Sequence, residues 1–160
     1  MSEWEIIRQY TQRPPVDVVG AIRALGILYR EEPMRQDQSG YFQKSGNYYT
    51  IGVNANESPQ RKRFTAAHEL GHYVLHRDLL QNGQHLDRLF SGPFEATSGP
   101  NRISPYHEVQ ANRFAADILM PAALVSQRFQ RLMDVGAVAA EFGVSPSALK
   151  IRLKNLNLIA

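Results

Sequence analysis

The chain has 160 residues, 43% of them hydrophobic and 21% charged, with a formal net charge of +3 and no cysteine. That length suits one domain able to bury a core, and so small a charge excess gives no ground for nucleic-acid binding. The missing cysteines exclude disulfides and thiolate metal ligands; no apolar run reaches the about 18 residues of a membrane span, and the opening residues lack the apolar run of a secretory signal, so the expected address is cytoplasmic.

Taken in order, Pro14-Pro15 opens a helix that carries Val16, Val19, Ile22, Arg23 and Leu25 at helical spacing and ends at Gly26. Residues 27–30, Ile-Leu-Tyr-Arg, read as a short strand. Residues 39–44 and 47–54 flank Ser45-Gly46 as the arms of a hairpin. In the second arm Tyr49, Ile51 and Val53 alternate with Thr50 and Gly52, the period of a half-buried strand. Gly52 inside that strand marks a bulge or the close approach of another backbone.

Ser58-Pro59 then caps and opens a helix running to about His76. It contains His68-Glu69-Leu70-Gly71-His72, a His-Glu-x-x-His pattern. Side chains four apart lie about 40° apart around a helix, so His68 and His72 can aim two imidazoles at one zinc ion. Glu69 sits beside them, placed to act as general base on water at the metal. A chance match on an amphipathic helix is the competing explanation. Phe64, Ala67, Leu70, Gly71, Val74 and Leu75 count against it, because two histidines and a glutamate in a mostly buried helix need partners. Arg61, Lys62 and Arg63 in the first turns read as a solvated face, with pairing to an acidic group as the alternative.

Residues 78–104, rich in Gly, Pro, Ser and Asn, form a long connection with a short strand at 86–90. Because they join the motif helix to the next one, they run near the site. Ser104-Pro105 starts that next helix, which continues through Glu108, Ala111, Phe114, Ala115, Ile118 and Leu119 and breaks at Met120-Pro121. Residues 122–133 form another helix. In the tail, Ala139, Gly143 and Leu149 fall in the order of a helix-turn-helix, with Ser145-Pro146 capping its second helix and Lys150, Arg152 and Lys154 following. Leu149, Ile151, Leu153 and Leu156 suit that helix to core packing or partner docking better than to direct DNA binding. The expected division is a core over 1–133 and a helical segment over 134–160 packed on it.

Catalytic zinc usually takes three protein ligands and a water. His76, His85, His107 and Glu108 compete for the third place. His76 lies about 80° round the helix and about 12 Å along the axis from His68, which suits it to packing behind a ligand. His85 reads as an ordinary surface histidine. Glu108 leads because Asn112, one turn on, shares its face and can orient a carboxylate; His107 is then a helix-start histidine or a pocket group facing substrate. Tyr106 and His107 are also candidates for an oxyanion donor. An edge strand of the hairpin over 39–54 can bind a substrate backbone by strand addition.

Residues 63–76, Arg-Phe-Thr-Ala-Ala-His-Glu-Leu-Gly-His-Tyr-Val-Leu-His, resemble a signature of the ImmA/IrrE family of short zinc metallopeptidases. Residues 108–121, Glu-Val-Gln-Ala-Asn-Arg-Phe-Ala-Ala-Asp-Ile-Leu-Met-Pro, resemble its second one. Ile51-Gly52-Val53-Asn54 and Pro15-Val16-Asp17-Val18-Val19 fit as well, so the resemblance covers about residues 14–158. It implies an α+β fold, with a small antiparallel sheet of about three strands packed on the active-site helices and a helix-turn-helix-like C-terminal segment. It implies one zinc ion per chain held by His68, His72 and Glu108, with Glu69 as base. It also implies a place in bacterial or phage regulation, where the enzyme cleaves a helix-turn-helix repressor. Two rival expectations stand beside it. One is a toxin-like or regulatory partner that binds a helix-turn-helix antitoxin or repressor without cutting it. The other is a DNA-binding regulator that uses the C-terminal helices around a structural metal.

Overall fold

A computed structural model of the chain describes residues 1–80, 83–88 and 103–160. Two short helices lead. The first, α1 (Glu3–Gln9), starts on a capping box: Ser2 Oγ accepts from the Glu5 amide at 3.2 Å, and the Glu5 carboxylate accepts from the Ser2 amide at 2.7 Å. The sequence reading assigns no helix there, although Ser-x-x-Glu is a legible start signal. The second, α2 (Val18–Ala24), begins later than Pro14-Pro15, at Asp17, whose carboxylate accepts from the Gly20 amide at 2.9 Å.

Among the described residues four strands follow: β1 (Leu28–Glu32), β2 (Gln38–Ser45), β3 (Tyr48–Asn54) and β4 (Gly83–Arg88). They form one sheet in the order β1-β3-β2-β4. The hairpin of β2 and β3 forms as the sequence predicts, with Gly46 at φ 62° in its turn. β4 adds antiparallel to the other side of β2, beginning earlier than the strand expected at 86–90, of which residues 89–90 lie outside the described residues. β1 pairs parallel with β3, from Leu28 opposite Thr50 to Glu32 opposite Asn54. The α+β class holds, but the sheet is mixed and four-stranded rather than antiparallel with about three strands. The reason is local. β1 and β2 are not neighbours, because the 33–37 connection leaves a gap between them that β3 returns to fill.

Asn54, buried at the end of β3, holds that connection. Its amide nitrogen donates to the carbonyls of Arg35 at 3.2 Å and Gln38 at 2.8 Å. Its amide oxygen accepts from the backbone of Met34 at 3.2 Å and Asn56 at 3.0 Å. Gly52 lies opposite Tyr41, and a Cβ there would sit 2.2 Å from the Tyr41 ring. The glycine makes room for an aromatic side chain, not for another backbone, and the irregular step in the sheet falls between Gln38 and Gly40 instead.

Helix α3 (Pro59–His76) packs on β2 and β3, and α4 (Pro105–Leu119) packs along it. The two run antiparallel, since His68 meets Asn112 while His76 meets Gln110. Gly71 lets them approach closely: a Cβ there would lie 3.0 Å from the Phe114 ring. Covered on both sides, α3 is buried from Thr65 through His72. Phe42, Ile51, Leu70 and Leu119 are among the fully buried side chains around it, each worth about 1.5–3 kcal/mol on transfer from water.

The three cations at the start of α3 do not form a solvated face. Arg61 donates to Ser39 Oγ at 3.2 Å and pairs with Glu57 at 3.5 Å. Lys62 pairs with Glu31 of β1 at 3.0 Å. Arg63 donates to the Val16 carbonyl at 2.7 Å. The chain ends in α5 (Ala122–Leu132), α6 (Val135–Phe142) and α7 (Pro146–Asn155). Gly143, at φ 65°, makes the turn between α6 and α7, and Val138, Ala139, Phe142, Leu149 and Leu153 join the same buried cluster as the side chains of α3 and α4. Arg152 turns inward to the Met120 carbonyl at 3.0 Å and Asp117 at 2.9 Å, while Lys150 and Lys154 are exposed. Among the described residues no helix is long and apolar enough to cross a membrane.

Candidate metal centre

The two helix starts set the site's geometry. Ser58 caps α3 by accepting from the Arg61 amide at 3.1 Å, and Pro59 fixes the first turn. From there the helical repeat carries His68, His72 and His76 into the buried seam facing α4, with Glu69 buried beside them. At the start of α4, Ser104 Oγ accepts from the His107 amide at 3.4 Å, and His107 Nδ1 accepts from the Ser104 amide at 3.0 Å. A histidine thus closes a capping box normally closed by Glu or Gln. One position on, Glu108 enters the seam.

His68 and His72 stand nearly perpendicular, 88° apart with ring centroids at 4.7 Å. His68 Nε2 lies 3.4 Å from Glu108 Oε1, and His72 Nε2 contacts the same oxygen. Donors bound tetrahedrally at about 2.0–2.1 Å from an ion are separated by about 3.3–3.4 Å, so the His68–Glu108 spacing fits such a centre. The ligand atoms of His68, Glu69 and His72 also lie within 4.8 Å of one another, and all three residues are buried. Glu108 is partly exposed, whereas Glu69 is fully buried.

Behind these donors stands a layer of amides and one more histidine. Asn112 Oδ1 is 2.7 Å from His68 Nδ1, so this side chain reaches across the seam to a histidine ring, where the sequence suggests a carboxylate. His72 Nδ1 is 2.9 Å from His76 Nδ1, and His76 Nε2 is 2.7 Å from Gln110 Oε1. His76 thus packs behind His72. Its burial pulls the imidazole below the usual histidine range, against the opposing pull of the Gln110 hydrogen bond. His107 lies against His76 with ring centroids at 4.7 Å, and Tyr106 is exposed on the first turn of α4. His85 is in β4, opposite Phe42, and its side chain lies outside the described residues. The long connection expected to pass the site lies outside them over 89–102.

Gln110 is the residue that sequence reasoning passes over. Its signal is the antiparallel pairing of α3 and α4: with Asn112 opposite His68, the preceding turn of α4 must lie opposite the later histidines of α3.

The family described as Peptidase_M78, IrrE N-terminal-like domain, matches residues 22–154. The chain is 35% identical over 91 residues to the radiation response metalloprotease IrrE of Deinococcus radiodurans, covering 57% of this chain and 25% of that protein. It is 32% identical over 116 residues to the protein of the same name in Deinococcus deserti, covering 72% and 37%. It is 26% identical over 152 residues to a Bacillus phage phi105 protein named uncharacterized immunity region protein 2, covering 95% and 85%. The chain therefore spans well under half the length of the two Deinococcus relatives. With a family match over most of its length, and the paired histidines of α3 facing a carboxylate of α4, the chain belongs to the ImmA/IrrE family of metallopeptidase domains.

Proposed function

We propose that the chain is a zinc metallo-endopeptidase that cuts a regulatory protein in the cytoplasm, a bacterial or phage repressor with a helix-turn-helix. The observation that carries this reading is the convergence of His68 Nε2 and His72 Nε2 on one oxygen of Glu108. In this reading the three side chains hold one zinc ion per chain. Two neutral imidazoles and a carboxylate, with no cysteine anywhere in the chain, are a donor set suited to zinc. When bound, zinc supplies Lewis acidity to water and to the scissile carbonyl.

The chain's own residues divide the remaining work. Asn112 orients His68: an amide oxygen can only accept, so the His68 proton sits on Nδ1 and Nε2 keeps its lone pair. Glu69, buried on the same turn of α3, takes the proton from the attacking water and returns it to the departing amine. Tyr106 and His107 are the candidates for steadying the oxyanion; Tyr106 is exposed, and His107 is engaged through Nδ1 at the start of α4. The choice of a regulator as substrate rests on the family resemblance and fits with a phage relative named for an immunity region.

The test is to mix zinc-loaded protein with the helix-turn-helix regulator encoded nearest to it and to read fragments by mass spectrometry. One or a few discrete cuts are expected. A stable complex with the regulator intact would overturn cleavage in favour of a binding role, and equal degradation of unfolded casein would overturn a dedicated regulatory one.

A further inference from the structure

We propose that Gln110 and His76 are positioning residues that hold His72 in the one tautomer able to bind a metal. The inference rests on the metal-site reading above and concerns a chain of three contacts behind it. Gln110 Oε1 lies 2.7 Å from His76 Nε2, His76 Nδ1 lies 2.9 Å from His72 Nδ1, and His72 Nε2 meets Glu108.

A neutral imidazole carries one N–H and one lone pair, so each ring in a chain fixes the next. The Gln110 amide oxygen accepts, which puts the His76 proton on Nε2 and turns the Nδ1 lone pair towards His72. His72 then donates from Nδ1, and its Nε2 lone pair points to where a cation would be shared with the Glu108 carboxylate, which without one accepts from Nε2–H and favours the opposite polarity. If the Gln110 amide were turned over, its nitrogen would donate to His76. The His76 proton would move to Nδ1 and the His72 proton to Nε2, blocking the ligand position. One amide orientation on α4 therefore decides whether a histidine on α3 can be a ligand. His76 is buried, and its ring lies against that of His107, which restrains it from swinging out of the chain. His68 reaches the same end through a single contact with Asn112, so each ligand ring ends on a side-chain amide oxygen.

Zinc affinities of the wild type and two variants at Gln110 test this at about pH 8, above the usual histidine range. Gln110→Glu keeps a group that only accepts, and Gln110→Met keeps the length without an acceptor. Gln110 lies on a partly exposed position of α4, so both variants should fold. Zinc affinity should fall roughly 10–100-fold in Gln110→Met and stay near wild type in Gln110→Glu. Nitrogen-15 NMR of the zinc-free Glu108→Ala variant, in which no carboxylate competes for the His72 proton, should show the His76 proton on Nε2. A His76 proton on Nδ1, an unchanged affinity in Gln110→Met, or equal losses in both variants would overturn the proposal. Failure of the wild type to bind zinc would instead overturn the metal-site reading, while the NMR result would still judge the relay by itself.

Discussion

A buried asparagine sets the path of the sheet. Asn54 uses both donors and one lone pair of its amide on residues 34–38, between β1 and the start of β2, and accepts a fourth hydrogen bond from the Asn56 amide after β3. Removing it leaves buried backbone groups without partners, so Asn54→Ala should lower the unfolding free energy by about 2–4 kcal/mol. Asn54→Asp, which sets a buried carboxylate oxygen against the carbonyls of Arg35 and Gln38, should cost at least as much. Urea denaturation measures both, and a loss under about 0.5 kcal/mol in Asn54→Ala would show that the connection holds without it. No local rule announces this role, because an asparagine at a strand end reads as an ordinary turn residue. The histidines are the opposite case. His68, Glu69 and His72 are legible because a fixed helical repeat relates them, so spacing alone places them on adjoining faces. Gln110 has no such local relation to His76; its contact exists only once two helices pair.

At the scale of elements, α3 organises the fold through its ends as much as its buried middle. Lys62 ties its first turn to β1 through Glu31, and Arg63 ties it to the segment before α2. From sequence these cations look like a solvated face because their partners are more than thirty residues away in the chain, Glu31 to Lys62 being a separation of 31. The hydrogen bond from Lys62 holds the Glu31 carboxyl below its usual range. A carboxyl depressed in the folded state contributes stability above its unfolded pKa, about 4.3, and loses that contribution as pH falls through the lower folded value. The stability gap between wild type and Lys62→Met should therefore be largest near neutral pH and shrink in acid. Both side chains are partly exposed, so the gap should not exceed about 1 kcal/mol. Thermal or urea unfolding from neutral pH down to about pH 3 checks it, and a gap that does not change with pH would contradict the pairing.

At the scale of the whole molecule, the fold class and both helices of the candidate metal site are legible because hydrophobic period and capping residues act locally. The strand order is not, since parallel pairing of β1 with β3 depends on how a loop closes and not on either strand's pattern. The tail shows the same division. Gly143 and the Ser145-Pro146 cap mark a helix pair in the sequence, but only packing reveals that Arg152 turns inward to Asp117 and the Met120 carbonyl. What unites these parts is the proposed site, at which two glutamates from two helices would do different work at one metal. The most direct measurement pairs zinc content with cleavage in two variants. Glu69→Gln keeps the shape of the side chain without its basicity, so zinc should remain near one per chain while cleavage falls roughly 10²–10⁴-fold. Glu108→Gln replaces an anionic donor with a weak neutral one, so zinc and cleavage should fall together. Equal zinc loss in both variants would make Glu69 a ligand and contradict the scheme, and a Glu108→Gln protein that kept both zinc and activity would remove Glu108 from the site.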